Sequence, residues 1–247
     1  VNKSERSLQV IDLTSNQLVD RLPVPLVLKP SYLTLDVDSN VAFVSDELSR
    51  RVVKIDLGTG QMAGSQQVGL KPGRLTYSDL ENGGLVAVST PTTQKVVFLN
   101  AETLAVQKTI ETGMKPKHLL YVGGSLLVSE EGSGTVTAFD VASGQNIGQV
   151  ILIGQPGELS VNTENGKVYV SNAQASGLSV LSAGQLTVLR NISTGCEPGA
   201  LTMSSRRGII YVASATDGRI AVIDRSSELL VGTIPVGGEI SDLLLYE

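Results

Sequence analysis

An all-β chain built from six copies of one repeat follows from three observations in the sequence. A Gly-x-x-Pro loop running into an apolar strand, plainest at Gly195-Cys196-Glu197-Pro198-Gly199-Ala200-Leu201, returns six times with small variations. Its leucine falls at Leu33, Leu75, Leu119, Leu159, Leu201 and Leu243, at spacings of 42, 44, 40, 42 and 42 residues. Each period holds four short alternating runs rich in β-branched residues and bounded by Gly, Ser and Asp, and no window sustains apolar residues at i, i+3, i+4 and i+7. Four strands in each such period is the pattern of a β-propeller blade. The sequence therefore predicts a six-bladed β-propeller of four-stranded antiparallel blades, residues 1–247, as a single domain.

The strand following each loop, strand 1 of a blade, is predicted at Tyr32–Val37, Arg74–Ser78, His118–Val122, Glu158–Val161, Ala200–Ser204 and Asp242–Leu245. Strand 2 is the most apolar, at Val41–Ser45, Leu85–Ser89, Leu126–Ser129, Val168–Ser171 and Ile209–Ala213. Strand 3 follows at Leu8–Asp12, Val52–Asp56, Val96–Asn100, Val136–Asp140, Leu178–Ser182 and Ile220–Asp224. Strand 4 follows at Leu18–Val24, Gln61–Val68, Val106–Thr112, Gly148–Ile153, Leu186–Ile192 and Leu230–Val236.

Strands 1, 3 and 4 occur six times and strand 2 only five. The sixth strand 2 belongs before Val1, so one blade is expected to be shared between the termini, with strand 1 from Asp242–Leu245 and strands 3 and 4 from Leu8–Val24. Upstream residues or a partner strand are expected to fill the gap, because an open inner position leaves bare ladder edges. A chain that opens on valine also suggests that a start methionine, and with it a targeting segment, lies upstream.

Composition narrows the function. Charged residues make up 17% of the chain and the formal net charge is −5, which repels nucleic-acid phosphates and anionic head groups. No apolar run approaches the roughly 18 residues of a membrane-spanning helix. The single cysteine, Cys196, rules out an internal disulfide framework and reads as a small semi-buried loop residue.

At Val168-Tyr169-Val170-Ser171-Asn172 and again at Ile210-Tyr211-Val212-Ala213-Ser214 the chain resembles the YVTN family of β-propeller repeats. Val222-Ile223-Asp224, Gly232-Thr233-Ile234-Pro235-Val236-Gly237-Gly238 and the Gly-x-x-Pro-Gly loops carry the likeness further. The resemblance implies an extracytoplasmic prokaryotic protein, periplasmic, secreted or on the cell surface, from a family whose members are mostly of unknown or binding function. Val86-Ala87-Val88 and Leu126-Leu127-Val128 lack the tyrosine, and the loop at Gly154-Gln155-Pro156 is one residue short.

Repetition separates structural from functional polar residues. Asp12, Asp56, Asp140 and Asp224, with Asn100 and Ser182 in the same place, end strand 3 before a turn and are expected to cap it. Pro30, Pro72, Pro116, Pro156 and Pro198 fix φ ahead of strand 1. Two slots instead vary in polarity. The residue two beyond the proline is Tyr32, Arg74, His118, Glu158, Ala200 or Asp242, expected around one mouth of the central channel. The residue opening the loop between strands 2 and 3 is Asn2, Asp46, Thr90, Glu130, Asn172 or Ser214, with Glu47 and Glu131 beside it.

The expected role is a non-catalytic binding or scaffold module, with Tyr32, Arg74, His118, Glu158, Asp242, Asp46, Glu130 and Asn172 as candidate binding residues. Its partner is a protein or a cell-surface assembly, a small-molecule ligand being the other option; no cofactor, metal, nucleic acid or membrane insertion is expected. The alternative is a hydrolase or lyase at the channel, in which His118 and Glu158 act as acid and base or share a cation with Asp242. One histidine cannot build a multi-histidine metal site, and neither a Gly-x-Ser-x-Gly elbow nor a nucleotide-binding glycine fingerprint is present.

Overall fold

The computed structural model describes residues 1–79, 83–240, 242, 243 and 245. It is all-β, with no helix among those residues. The chain divides into two compact units, Val1–Tyr121 and Val122–Glu247.

The first unit opens with β1 (Ser7–Asp12) and β2 (Gln17–Pro23), an antiparallel pair. Next come β3 (Pro30–Asp36), β4 (Val41–Asp46), β5 (Arg51–Asp56) and β6 (Met62–Gln67), then β7 (Leu75–Ser78), β8 (Leu85–Thr90), β9 (Lys95–Asn100) and β10 (Val106–Glu111). Strand β11 (Pro116–Val122) precedes β12 (Ser125–Glu130), β13 (Thr135–Asp140) and β14 (Asn146–Ile151). The second unit continues with β15 (Pro156–Asn162), β16 (Lys167–Asn172), β17 (Gly177–Ser182) and β18 (Thr187–Ser193). It ends with β19 (Pro198–Ser204), β20 (Ile209–Ser214), β21 (Arg219–Asp224) and β22 (Leu229–Pro235). Among the described residues, five sheets take four strands each in simple meander order, and the β1-β2 sheet has two.

Of the strand expected at Asp242–Leu245, Leu244 lies outside the described residues, and Asp242, Leu243 and Leu245 belong to no strand.

Packing follows the alternation of each strand. Strand 2 is among the most buried elements of each four-stranded sheet, equalled by strand 3 in β11–β14 and β15–β18, and β4 and β8 are buried at all six positions. In the first unit, Leu8 and Leu22 of the two-stranded sheet, with Val24 just beyond it, meet Ala42, Val44, Val53 and Ile55. The opposite face of the same β3–β6 sheet sends Val41, Phe43 and Val52 against Leu75, Val86, Val88 and Leu99. In the second unit, Tyr169, Leu178 and Val180 meet Leu201, Ile210, Val212, Ala221 and Ile223 in the same register. Each fully buried apolar side chain of this size contributes about 1.5–3 kcal/mol.

The turn between strands 3 and 4 shows why the polar residue ending strand 3 recurs. Oδ1 of Asp12 accepts the N–H groups of Thr14 and Ser15 at 2.7 and 2.9 Å. Asp56 accepts Thr59 N–H at 2.8 Å, Asn100 accepts Thr103 at 2.8 Å, Asp140 accepts Ser143 at 2.7 Å and Asp224 accepts Ser227 at 2.7 Å. Ser182 makes the same contact with Gln185 through its hydroxyl, at 3.4 Å. Four residues beyond the cap the backbone is left-handed, at Asn16, Gly60, Leu104, Gly144, Leu186 and Glu228. That residue and the next form a bulge opposite the cap, as where Gly60 N–H donates to the Asp56 carbonyl and Asp56 N–H to the Gln61 carbonyl; the ladder slips a second time further along strand 4, between Lys54 and Ile55 and between Val222 and Ile223.

The bulge residue also packs on the neighbouring sheet. A Cβ placed at Gly64 would stand 3.2 Å from Leu104 Cδ1, and one at Gly148 would stand 3.6 Å from Leu186 Cδ2. Large bulge side chains are thus accommodated where the facing strand-4 residue is glycine. In the last repeat, where the strand-4 residue is Arg190, the bulge residue is the acid Glu228, and the two form an ion pair at 3.4 Å.

Candidate functional site

The loops before strand 1 are held by their prolines and by the first residue of the loop between strands 2 and 3. Pro30, Pro72, Pro116, Pro156 and Pro198 are all buried. Asp46, fully buried, accepts hydrogen bonds from the N–H groups of Leu28 and Lys29 ahead of Pro30, and from those of Leu48 and Ser49 in its own loop. Burial opposes the charge of Asp46, but these hydrogen bonds outweigh it and hold the carboxyl below its ordinary range. Asn172 does the same work ahead of Pro156: its Oδ1 accepts Gln155 N–H at 3.1 Å and its Nδ2 donates to the Ile153 carbonyl at 2.7 Å. The loop there is a residue short and passes through Gly154 at φ 119°, where a Cβ would fall 2.1 Å from Asn172 Oδ1. Only glycine fits.

Glu130 is buried and accepts hydrogen bonds from the hydroxyls of Thr135 and Thr137, at 2.5 and 2.8 Å. Thr90 and Ser214 are buried too, and Ser214 Oγ accepts from Asp217 N–H at 3.2 Å. Asn2, half-buried, accepts from the N–H groups of Ser4 and Glu5. The second polar slot is therefore interior: Asp46, Glu130 and Asn172 have their polar atoms turned to strands and loops of their own unit.

The first slot lies further out. In the first unit Tyr32 is exposed and Arg74 and His118 are half-buried. The guanidinium of Arg74 stands 4.9 Å from the centre of the Tyr32 ring, a cation–π pair joining two successive strands 1. Around them the loops carry Lys29, which pairs with Glu47 at 2.6 Å, and Lys71, 3.9 Å from the same carboxylate. The ion pair lowers the affinity of Glu47 for its proton and raises that of Lys29. Lys71 and Lys115 sit at φ 48° and 53°, left-handed backbone that few non-glycine residues adopt. In the second unit Glu158 is half-buried, its N–H bonded to Ser171 Oγ at 2.8 Å, while Ala200 is buried and Asp242 exposed. The structure thus brings Tyr32 and Arg74 together, with the lysines of their loops beside them.

Among the described residues no group of three or more His, Cys, Asp and Glu is placed to hold a metal ion, and no helix is long and apolar enough to cross a membrane. Cys196 is buried in the core of the second unit. A cavity of about 370 Å³ opens in that unit between Leu127, Ala138 and Gly148 on one side and Gly184, Gln185 and Leu186 on the other. Sequence reasoning passed over two features. One is the lysine just before the proline in the three loops of the first unit, Lys29, Lys71 and Lys115. The other is Glu228, a buried acid in a slot where the other repeats carry asparagine, glycine or leucine.

No protein family and no curated protein matches this sequence. Solved structures do match. One is dihydro-heme d1 dehydrogenase NirN in complex with DHE, at 16% identity and a TM-score of 0.75, over 100% of this chain and 55% of that one. Another is the computationally designed Ika8 protein, at 15% identity and a TM-score of 0.75, over 97% of this chain and 72% of that one. The present chain thus spans little more than half the length of NirN. At such identities the likeness concerns the fold alone, and together with the repeated four-stranded sheets it supports a β-propeller.

Proposed function

We propose that the protein is a non-catalytic binding or scaffold β-propeller of the YVTN-repeat type, working outside the cytoplasm and engaging a protein partner or surface assembly through its Pro-loop face. One observation carries this reading. The polar residues that recur in every repeat are spent on turns and loops, whereas the slot that varies, Tyr32, Arg74, His118, Glu158 and Asp242, is exposed or half-buried. Residues whose chemistry changes from repeat to repeat at exposed or half-buried loop positions are the candidates for recognition.

In the same reading the six repeats close into one ring, in which further strands complete the two-stranded β1-β2 sheet. In support, Ile11 and Leu13 of the first repeat are 53% and 55% exposed, while Ile55 and Leu99, which correspond to Ile11, are fully buried. A further strand layer would cover that apolar surface.

The test is affinity capture from the native envelope, comparing the wild-type chain with Arg74→Ala, His118→Ala and a control on strand 4, Gln107→Ala. Loss of the captured partner with the first two variants and its retention with the third is the expected result. Undiminished capture by Arg74→Ala and His118→Ala removes the Pro-loop face as the recognition surface.

A further inference from the structure

Because the ladders share one register, the space between neighbouring sheets can be compared position by position within each unit. In the first unit Lys54 of β5 pairs with Phe43 on one side and Gly64 on the other. In the second unit Ala138 of β13 holds the same place, between Leu127 and Gly148. Each lies two residues ahead of the capping aspartate, Asp56 or Asp140, and the corresponding residues of the other repeats are Val10, Phe98, Val180 and Val222. Ala138 is the smallest of the six.

Lys54 shows what that place can hold. Its Nζ donates to the carbonyls of Ala101 at 2.9 Å and Glu102 at 3.0 Å, across the gap to the next sheet. Those two residues follow the turn cap Asn100, as Ala183 and Gly184 follow the cap Ser182. The frame is the same in both spaces, since Leu104 faces Gly64 as Leu186 faces Gly148. With alanine in place of lysine and Leu127 in place of Phe43, the second unit has its cavity of about 370 Å³ there, with Ala138, Ala183 and Gly184 in the wall. Ala101 is buried beneath Lys54, whereas Ala183 is half-buried. The next space in the second unit is filled instead, by the fully buried Tyr169 and Val180 beside Glu228.

We infer that this cavity binds a short, free aliphatic primary amine as its ammonium ion. The carbonyls of Ala183 and Gly184 take the hydrogen bonds that Ala101 and Glu102 take from Lys54, and the alkyl chain lies against Leu127, Ala138 and Leu186. The cavity is a second site, apart from the Pro-loop face, because the turns around Gly123 and Gly184 stand at the opposite end of the sheets. An ammonium has three donors and no acceptor, which suits a pair of backbone carbonyls, and its charge strengthens those bonds. Among the described residues no ionisable side chain lines the cavity, so no resident cation competes for them. The surrounding field attracts a cation, since residues 122–247 carry 6 Lys and Arg against 12 Asp and Glu. Lys54 also lies within electrostatic reach of Asp36, whose counterpart is Val122, so the cavity offers carbonyls without an ion pair and binding is weak.

The test titrates propylammonium chloride, the part of a lysine side chain that alanine lacks, into the isotopically labelled full chain and follows the NMR spectrum. Saturable shifts are expected at the Gly184 and Gln185 amides and at the Ala138 and Leu186 methyl groups, with a dissociation constant of about 1–10 mM for so small a ligand. Propanol, equal in length but uncharged, is expected to bind at least about tenfold more weakly. Ala138→Lys places an ammonium in the cavity covalently, and Ala138→Leu fills it without one; each is expected to lose the shifts. Lys54→Ala is expected to open a second site, with new shifts at Ala101 and Glu102. Equal binding of propanol overturns the inference, as does the absence of saturable shifts up to about 100 mM amine. So does a folded position-138 variant that keeps the shifts, or a folded Lys54→Ala chain that gains no second site. A lysine residue carries the same group: Nα-acetyl-lysine methylamide is expected to bind more weakly than propylammonium, and binding at least about tenfold tighter reassigns the site from a free amine to the lysine of a protein partner.

Discussion

Glu228 Oε1 accepts a hydrogen bond from the Tyr169 hydroxyl at 3.0 Å, and Lys167 Nζ reaches the same oxygen at 2.7 Å. Tyr169 is fully buried and Glu228 nearly so. Burial first, and the neighbouring carboxylate second, push the Tyr169 phenol well above its ordinary range, so it stays a neutral donor. The group joins two sheets of the second unit at the position where Leu186 meets Gly148 one repeat earlier.

Removing the carboxylate leaves the Tyr169 hydroxyl buried and without this acceptor. Glu228→Ala is expected to cost about 1–3 kcal/mol, the penalty for an orphaned buried polar group. Lys167 and Arg190 keep 32% and 45% side-chain exposure and can rehydrate, so the full cost of a broken buried ion pair is not expected. Glu228→Gln keeps an acceptor for Tyr169 and should lose less than Ala. Urea unfolding of the two variants and of Tyr169→Phe checks the order; equal losses for Gln and Ala argue that charge, not the tyrosine bond, is what matters.

The fit of Leu104 against Gly64 predicts a size exchange. Gly64→Leu drives new methyl groups into space that Leu104 occupies and is expected to destabilise the first unit by about 1–3 kcal/mol. Leu104→Gly opens that space, and glycine tolerates the φ of 62° without strain. The double variant should therefore recover at least about 1 kcal/mol relative to the sum of the single changes, a coupling measurable in a thermodynamic cycle. Additivity of the two changes would mean that the pair does not share one space.

The sequence makes the strands legible because a blade repeats the same physical demands: period-two alternation, a proline ahead of strand 1, and an Asx cap after strand 3. Apart from Asp242–Leu245, which forms no strand among the described residues, predicted and observed strands coincide within a few residues, as at Val41–Ser45 against Val41–Asp46 and Ile220–Asp224 against Arg219–Asp224. Burial was less legible. Asp46, Glu130 and Asn172 vary in chemistry and so looked like a binding rim, yet an aspartate, a glutamate and an asparagine each reach loop or strand donors from the same interior place. The αL bulge explains another blind spot: nothing in the residue type of Glu228 shows that its backbone turns the side chain inward between two sheets.

Gly154 offers a stricter test of how the Pro loops are built. Gly154→Ala adds a Cβ that cannot coexist with the Asn172 amide as placed, and it does so at φ 119°, where alanine is strained. A loss of at least about 2 kcal/mol is expected. Asn172→Ala makes room for the methyl group but orphans the Gln155 N–H and the Ile153 carbonyl, so the double variant should not regain wild-type stability. Thermal melts of the three variants decide this, and a double variant as stable as wild type would show that the Asn172 bonds contribute nothing.

Acid sensitivity follows from the capping carboxylates. Asp12 and Asp224 are held at about 2 in the folded chain, chiefly by hydrogen bonds from the Thr14 and Ser226 hydroxyls and neighbouring N–H groups, against an ordinary value of 3.8. Asp46 is shifted in the same direction. A folded value below the unfolded one means that folding favours the charged form. The stabilisation is present above about pH 4 and is lost as pH falls through the folded values, so unfolding free energy should drop between about pH 4 and 2. Replacing Asp12 and Asp224 with asparagine, the residue that caps the same turn at Asn100, removes two of the titrating groups. The double variant should show a shallower decline in denaturant midpoint over that interval while remaining close to wild type near neutral pH. An unchanged acid slope would mean that these two turns do not carry it.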